Sequence, residues 1–446
     1  MTAFLCFTAL HACSNGPADA DQISAQDMGG LPVEKPVANA FEGAMGFGAV
    51  SEGGNGGRII AVTTLQDSGP GSYRACVTAQ FPRVCVFRVE GVIRFTGRPP
   101  RITSPYLTIA GQTAPGAGIT LTHAGEPNGL TPLVIKNTHD VVVRNIRVRL
   151  DRVGASRESE DGITIENSER VMIDHVSVSG ARDENINGFA DNDAVSITNS
   201  IFSYGVPRHD KCALLGSDPV DAQNFSFIGN LCAHNGDRNP DVNFPPGSCV
   251  EVINNVMYNA QSEFAEVWEG AGGTPVSIIG NSFVAGPDTR ENSVGIANER
   301  IASSGPAKIY IHDNEFLGDF VQIAANAAER RVASPPCSLT VVPKKSQQAM
   351  LDVLANAGAM PRDPIDRQVV SEVTSRGGRI GRWPKMLAAP TGAQAYPDDD
   401  DDGMDDRWER EHGASSSRYD PWADADGDGI SNLDEFLQFR DAELAR

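Results

Sequence analysis

Seven short segments of this chain share one pattern: VVVRNIRVR, VMIDHVSVS, VSITNSIFS, FSFIGNLCA, VEVINNVMY, VSIIGNSFV and IYIHDNEFL. In each, branched apolar residues alternate with polar ones over a few positions, the period of a half-buried strand. A polar residue recurs at what reads as one equivalent place: Asn145, His175, Asn199, Asn230, Asn255, Asn281 and Asn314, spaced by 30, 24, 31, 25, 26 and 33 residues. Repeats of about 20–50 residues mark a solenoid, and the runs lack the 3.6-residue stripe of a two-helix repeat. A single coil cannot bury its inner face, so coils stack and their strands pair in parallel. Asn at a bend satisfies turn backbone groups and tolerates a left-handed conformation. Stacked at one bend, such side chains can also bond one another along the axis. The expectation is an all-β chain built as a right-handed parallel β-helix. The unequal spacings then fall in loops that build a groove on one face. Glycine, 45 of 446 residues, suits the many turns such a fold needs.

Charge narrows the function. Acidic residues outnumber basic ones 58 to 37, so there is no cationic surplus to neutralise phosphates, and nucleic acid is excluded as a partner. No apolar run approaches the length of a membrane-spanning helix. At the N-terminus, Met1 to Ala12 is apolar and Leu10-His11-Ala12-Cys13 resembles a bacterial lipoprotein signal, with Cys13 as the lipid-anchor site. It departs from a full signal in having no Lys or Arg before the apolar stretch. Residues 1–13 are read as a signal peptide or lipoprotein signal and 14–39 as a flexible linker. Residues 40–395 are the β-helix, and 396–446 are a calcium-loop segment. The location expected is secreted or at the bacterial outer-membrane surface. Removing Cys6 and Cys13 leaves six cysteines with no CxxC pair, which favours disulfides over zinc. Cys76 and Cys85 are the best candidate pair; the partners of Cys212, Cys232, Cys249 and Cys337 stay open.

The tail from Asp398 onward holds 17 acidic and five basic residues. The pattern D-x-[DN]-x-[DN]-G-x5-E puts oxygens at alternate positions around Ca2+, with Gly at the sharp turn. Asp424, Asp426, Asp428, Gly429, Asn432 and Glu435 fit it, as do Asp398, Asp400, Asp402, Gly403, Asp406 and Glu409. The pair resembles the duplicated EF-hand-like calcium loops of dockerin-like and thrombospondin type 3 modules. The role expected is structural or attachment, not catalysis.

Within the body, FEGAMGFGAVSEGGNGGRIIAVTTLQDSGPGSYRACV, TIAGQTAPGAGITL, DGITIENSERVMIDHVSVSGARDEN, HDKCALLGSD and GNLCAHNGDRNP are similar to the pectate lyase family, polysaccharide lyase family 1. The likeness runs in order from about Phe41 to near Trp383. It implies a parallel β-helix that cleaves pectate-like acidic plant or algal polysaccharide by β-elimination, usually with calcium, acting as a monomer. Removing the C5 proton of an ionised uronate is too costly unless the carboxylate's charge is neutralised. The site therefore needs oxygen ligands on one face, a cation near the carboxylate, and a base. The resemblance places Asp161, Asp183, Glu184 and Asn187 as calcium ligands. It makes Arg238 in DRNP the proton abstractor and Lys211 in HDK the carboxylate contact. A guanidinium is almost always protonated, so that role demands an unusual environment, or hydroxide as base. His209 and His234 are backup bases. Asp174 and His175 are assigned to the bend ladder.

Two departures stand out. A second family arginine is replaced by Asn243, with Asp241 adding negative charge, and the usual Ser-Trp is Ser179-Gly180. A glycoside hydrolase of the same fold is disfavoured because neither Gly-His-Gly nor Arg-Ile-Lys occurs. A pectin lyase would not need the acid cluster. The alternative of another class is a non-catalytic surface polysaccharide-binding or adhesive β-helix, which would have no use for Lys211 and Arg238.

Overall fold

The computed structural model describes residues 30–123, 130–150, 160–382 and 387–445. The signal segment, Cys13 and the end of the family likeness at Trp383 lie outside them.

Among the described residues, three parallel sheets of ten, nine and nine strands span Arg58 to Ile323. Each of nine coils from Arg83 onward contributes one strand to each sheet, and Arg58–Val62 adds a tenth strand to the first. A representative coil passes from Glu169–Asp174 in the first sheet to Ser177–Ser179 in the third and Glu184–Phe189 in the second. It returns to the first sheet at Asp193–Thr198. Every pairing between these strands is parallel, as in Val171 opposite Val195 and Val178 opposite Phe202. Inward residues form one continuous apolar core from Val62 and Tyr73 to Ile309 and Ile311.

The bends correct the sequence alignment by one residue. The left-handed positions between the first and third sheets are Asn145, His175, Asn199, Gly229, Asn254, Gly280 and Asp313, with φ from 47° to 69°. Asn230, Asn255, Asn281 and Asn314 each come one residue later and form a separate buried ladder. Asn230 Nδ2 donates to Asn255 Oδ1 (3.1 Å), Asn255 Nδ2 to Asn281 Oδ1 (3.0 Å) and Asn281 Nδ2 to Asn314 Oδ1 (2.9 Å). Each Oδ1 also accepts a backbone N–H from the coil before. Two columns exist because one residue must supply the turn and the next the bonding. Asp174 and His175 sit in the ladder region, where Asp174 accepts from Thr198 Oγ1 (2.7 Å) and Asn199 Nδ2 (3.0 Å) and pairs with His175 Nδ1 (2.7 Å).

The outer faces of two sheets are covered by the chain itself. Helices Ser346–Asn356 and Pro364–Ser375 lay Val353, Ile365, Val369 and Val373 on the third sheet. Buried Arg149 holds the second of these helices by pairing with Asp363 and Asp366 at its N-terminal end. The first sheet is covered by the N-terminal segment, where Phe41 and Ala44 meet Val142 and Met172, and by the C-terminal tail. Within the expected linker, the described residues from Leu31 lie against the β-helix, with Val33 bridged to Leu339. The second sheet keeps an alternating buried and half-buried pattern, as in Leu133–Lys136 and Ile163–Glu166. Three disulfides, Cys76–Cys85 as expected, Cys212–Cys232 and Cys249–Cys337, tie strands and loops together.

The ladder yields a prediction. Asn255→Ala strands the Asn230 N–H and the Phe227 carbonyl, both buried, at about 1–3 kcal/mol each. Urea unfolding should show a loss of about 2–4 kcal/mol; an unchanged midpoint would mean the ladder carries no stability.

Candidate functional site

The half-buried face of the second sheet gathers most of the predicted residues. Asp161 and Asp183 lie in the loops that enter this sheet on consecutive coils, just before Ile163–Glu166 and Glu184–Phe189. In-register stacking brings them together: Asp161, Asp183 and Glu184 each offer an oxygen within 4.8 Å of the others. Asp161 Oδ2 accepts from Thr164 Oγ1 (2.7 Å) and Asn187 Nδ2 (3.1 Å). Asp161 Oδ1 and Asn187 Oδ1 are buried without a partner.

Electrostatics follow from this crowding. Burial, opposed by the Thr164 hydrogen bond and reinforced by the charge of Asp183, pushes the Asp161 carboxyl up to about 6. Burial and the charges of Asp161 and Asp183 push Glu184 up to about 8, against the pull of Arg238. Asp183 goes the other way: burial would raise it, but the bond from His209 Nδ1 (2.6 Å) outweighs that and holds it low.

Glu184 is register partner of Lys211, and Lys211 is bridged to Asp237 on the next coil. The Lys211 ammonium pairs with Asp237. Arg238 follows in a left-handed conformation at φ 52°, uncommon for a residue with a Cβ. Its N–H donates to Glu266 Oε1 (3.0 Å) and its carbonyl accepts from Ala213 N (2.9 Å), which fixes the turn. The guanidinium donates to Glu184 and lies 3.5 Å from Asp241 Oδ2. Burial works to lower its pKa, yet Glu184 and Asp241 raise it on balance.

A neighbouring acidic group was not visible in the sequence. Asp237, Glu263 and Glu266 converge within 4.8 Å of one another, and Asp241 stands opposite Glu266 in the sheet. Burial and the Glu266 charge push Asp241 well above the carboxylate range; burial and the Asp237 charge push Glu266 up to about 7. Only the coil register brings these residues together, and no linear motif reports it.

Other expectations are sorted by the geometry. His234 is fully buried between Tyr204 and Tyr258, bonded to Asn259 and paired with Glu372 (3.0 Å), which leaves it no access to substrate as a base. His209 is exposed and engaged with Asp183. Asn243 Oδ1 accepts from Ala271 N (3.1 Å), a loop contact. Gly180 adopts φ 82°, and a Cβ there would lie 2.6 Å from the Leu150 carbonyl oxygen, so the backbone excludes a side chain.

In the tail, Asp398, Asp400 and Asp402 converge, and so do Asp402, Glu409 and Asp420. Asp424, Asp426 and Asp428 form an exposed third group. Burial, then the charges of Asp426 and Asp428, raise the pKa of Glu435. Asp406 and Asn432 each give an oxygen to a backbone N–H seven residues earlier, Asp399 and Ala425 respectively, closing their loops. Asp420 was missed because it lies outside the twelve-residue pattern.

All these donors are hard oxygens, the set that suits calcium or magnesium over softer ions. Buried acceptors without partners, such as Asp161 Oδ1, are costly unless something positive meets them. The groove residues therefore fit a bound divalent cation.

Comparison with known proteins agrees with this geometry. Residues 112–263 match the family model described as pectate lyase. The chain is 33% identical over 406 residues to "Probable pectate lyase C" of Aspergillus fumigatus, covering 85% of this chain and 89% of that one. To the protein of the same name from Aspergillus flavus it is 34% identical over 365 residues, covering 76% and 78%. Among solved structures, Jun a 1, the major allergen from cedar pollen, superimposes with a TM-score of 0.53 at 19% identity over 71% of this chain and 92% of that one, a likeness of fold. The repeat, the groove and these relatives together make the chain a member of the pectate lyase family.

Proposed function

We propose that this protein is a calcium-dependent lyase that cleaves polygalacturonate or a similar uronate polymer by β-elimination, releasing unsaturated oligosaccharides. The observation that carries this reading is the oxygen cluster of Asp161, Asp183, Glu184 and Asn187 beside Arg238 and Lys211, on the sheet whose outer face the covering helices and tail leave alone. In the reaction the C5 proton goes to a base. Its electron pair forms the C4–C5 double bond, and the C4 oxygen leaves with a proton. Calcium held by the four oxygen-bearing residues would neutralise the substrate carboxylate and make the C5 proton easier to remove.

Lys211 supplies the ammonium that meets the substrate carboxylate once it is released from Asp237. Arg238 is the residue proposed to act on the C5 proton, but two carboxylates hold its guanidinium protonated. It can accept a proton only when they cease to do so. Glu184 is the partner that can loosen: as a calcium ligand it would share its charge with the ion and weaken its hold on the guanidinium. Until then Arg238 acts through its N–H donors, stabilising charge on the carboxylate as the proton departs to hydroxide. With Asn243 in place of a second arginine, substrate binding rests more heavily on Lys211 and on the cation. Export to an oxidising compartment accords with the three disulfides.

Incubation with polygalacturonate should give a rise in ultraviolet absorbance from unsaturated product that chelator abolishes. Arg238→Ala should cut kcat by about 100-fold or more, the scale of a lost acid–base or charge-stabilising group, while Lys211→Ala should chiefly raise KM. Reducing ends appearing without absorbance would mean hydrolysis and sink the mechanism.

The cluster also sets a pH dependence. A carboxyl whose folded pKa is raised favours the fold in its protonated form. The Asp161 contribution is therefore complete below its ordinary value of 3.8 and is lost as pH rises through about 6. In chelator, Asp161→Asn should flatten the fall in melting temperature between about pH 4 and 7 and be the more stable protein at neutral pH. Parallel melting curves for the two proteins would count against the clustered-charge reading.

A further inference from the structure

The C-terminal segment, read from sequence as a pair of calcium loops with a structural or attachment role, is seated on the β-helix. Met404, Trp408, Leu433, Phe436 and Leu437 pack against Val84, Val86 and Ala110 on the outer face of the first sheet. Gly403, at the tip of the first acidic loop, adopts φ 92°. A Cβ there would lie 2.9 Å from Ile59 Cγ2 and 3.2 Å from Val86 Cγ1, so the loop rests directly on the first two strands. Polar contacts bracket it. Arg88 reaches Asp398 Oδ2 (3.0 Å) and lies over the Tyr396 ring (4.4 Å). On the other side, Trp422 Nε1 donates to the Gly57 carbonyl (2.8 Å) and Tyr419 Oη accepts from Ile59 N (3.3 Å).

Five carboxylates meet inside this bracket. Asp402 belongs both to the group with Asp398 and Asp400 and to the group with Glu409 and Asp420. The cluster alone would be unremarked, since acidic groups crowd many surfaces. What separates this one is Glu409: its residue is 0% exposed, and both carboxylate oxygens are buried without a partner. Both oxygens of Asp400 and Oδ1 of Asp420 are likewise buried and unpartnered. Unpaired carboxylate oxygens packed together in a buried place need a cation to be stable.

Extending the reading of the tail as calcium-binding, we propose that Asp398, Asp400, Asp402, Glu409 and Asp420 form one structural divalent-cation site. Asp420, from the segment beyond the loop, completes it. The site works as a latch: Asp398 lies two residues after Tyr396 and Asp420 two before Trp422, so one ion ties together both chain segments that grip the first coils. Calcium is the occupant that the hard, many-oxygen donor set favours. The second loop's Asp424, Asp426 and Asp428 are exposed; it takes no part in the latch.

The test is hydrogen–deuterium exchange on the full chain, stripped with EDTA and then titrated with calcium chloride. Calcium should protect amides in residues 396–422 and in the Arg58–Val62 and Arg83–Phe87 strands beneath them. Asp420→Asn should raise the calcium concentration for half-protection at least tenfold. Asp161→Asn, which alters only the groove cluster, should leave that protection in place, so failure of the lyase reading and failure of the latch are told apart. Absence of calcium-dependent protection in the unmodified protein overturns the proposal. So does an Asp420→Asn titration that superimposes on the unmodified one.

Discussion

Parallel stacking of coils is the constraint on which the rest of this molecule depends. Each strand bonds to the equivalent strand one coil away, so side chains at one register position form a row along the axis. A row of like residues must be satisfied by its own members. Asn does this at the bend, because its amide can donate up the row while its carbonyl accepts from below. The row ends where a residue without an amide takes the place, as at Ser200, whose N–H donates to Asn230 Oδ1 but whose side chain cannot extend the amide ladder.

The same stacking decides where function can sit. A solenoid has as many outer faces as sheets, and apolar outer faces must be covered. The first and third sheets carry apolar residues outward, among them Val142, Met172, Ile201 and Val256, and the chain spends its two ends and its late helices covering them. The second sheet turns out Thr164, Asn187, Lys211 and Glu263, all half-buried. Loops entering that sheet from successive coils are stacked about one strand spacing apart, so acids distant in sequence become one cluster. Asp161 and Asp183 meet for this reason, as do Asp237 and Glu263.

Much of this was legible in the sequence. The strand period and the repeat specified the architecture, and the family likeness pointed to Asp161, Asp183, Glu184, Lys211 and Arg238, which lie together. What escaped was what depends on register. The two bend columns were merged because Asn occurs in both, and only strand pairing distinguishes Asn199 from Asn230. Glu263 and Glu266 carry no motif, since their partner Asp237 lies a full coil away. Asp420 escaped because a linear calcium pattern does not see a residue folded back from beyond its own helix. Disulfide pairing was legible only for Cys76 and Cys85, which close a short loop.

Charge ties the groove to its proposed substrate. A polyuronate is an anion, and the groove presents Asp161, Asp183, Glu184, Asp237, Asp241, Glu263 and Glu266 around Arg238 and Lys211. Such a surface repels the chain it is meant to bind. Replacing an arginine by Asn243 deepens that repulsion. Protonation relieves part of it, which is the physical content of the raised Glu184 and Glu266 carboxyls. Protonation cannot relieve all of it while Asp183 is held ionised by His209. In the proposed reading a divalent cation therefore has two tasks in this groove: it lowers the barrier to proton removal, and it makes the surface attractive to a polyanion. Asn243, which looks like a loss beside the family pattern, shifts the burden of binding from fixed arginine charge to a dissociable ion.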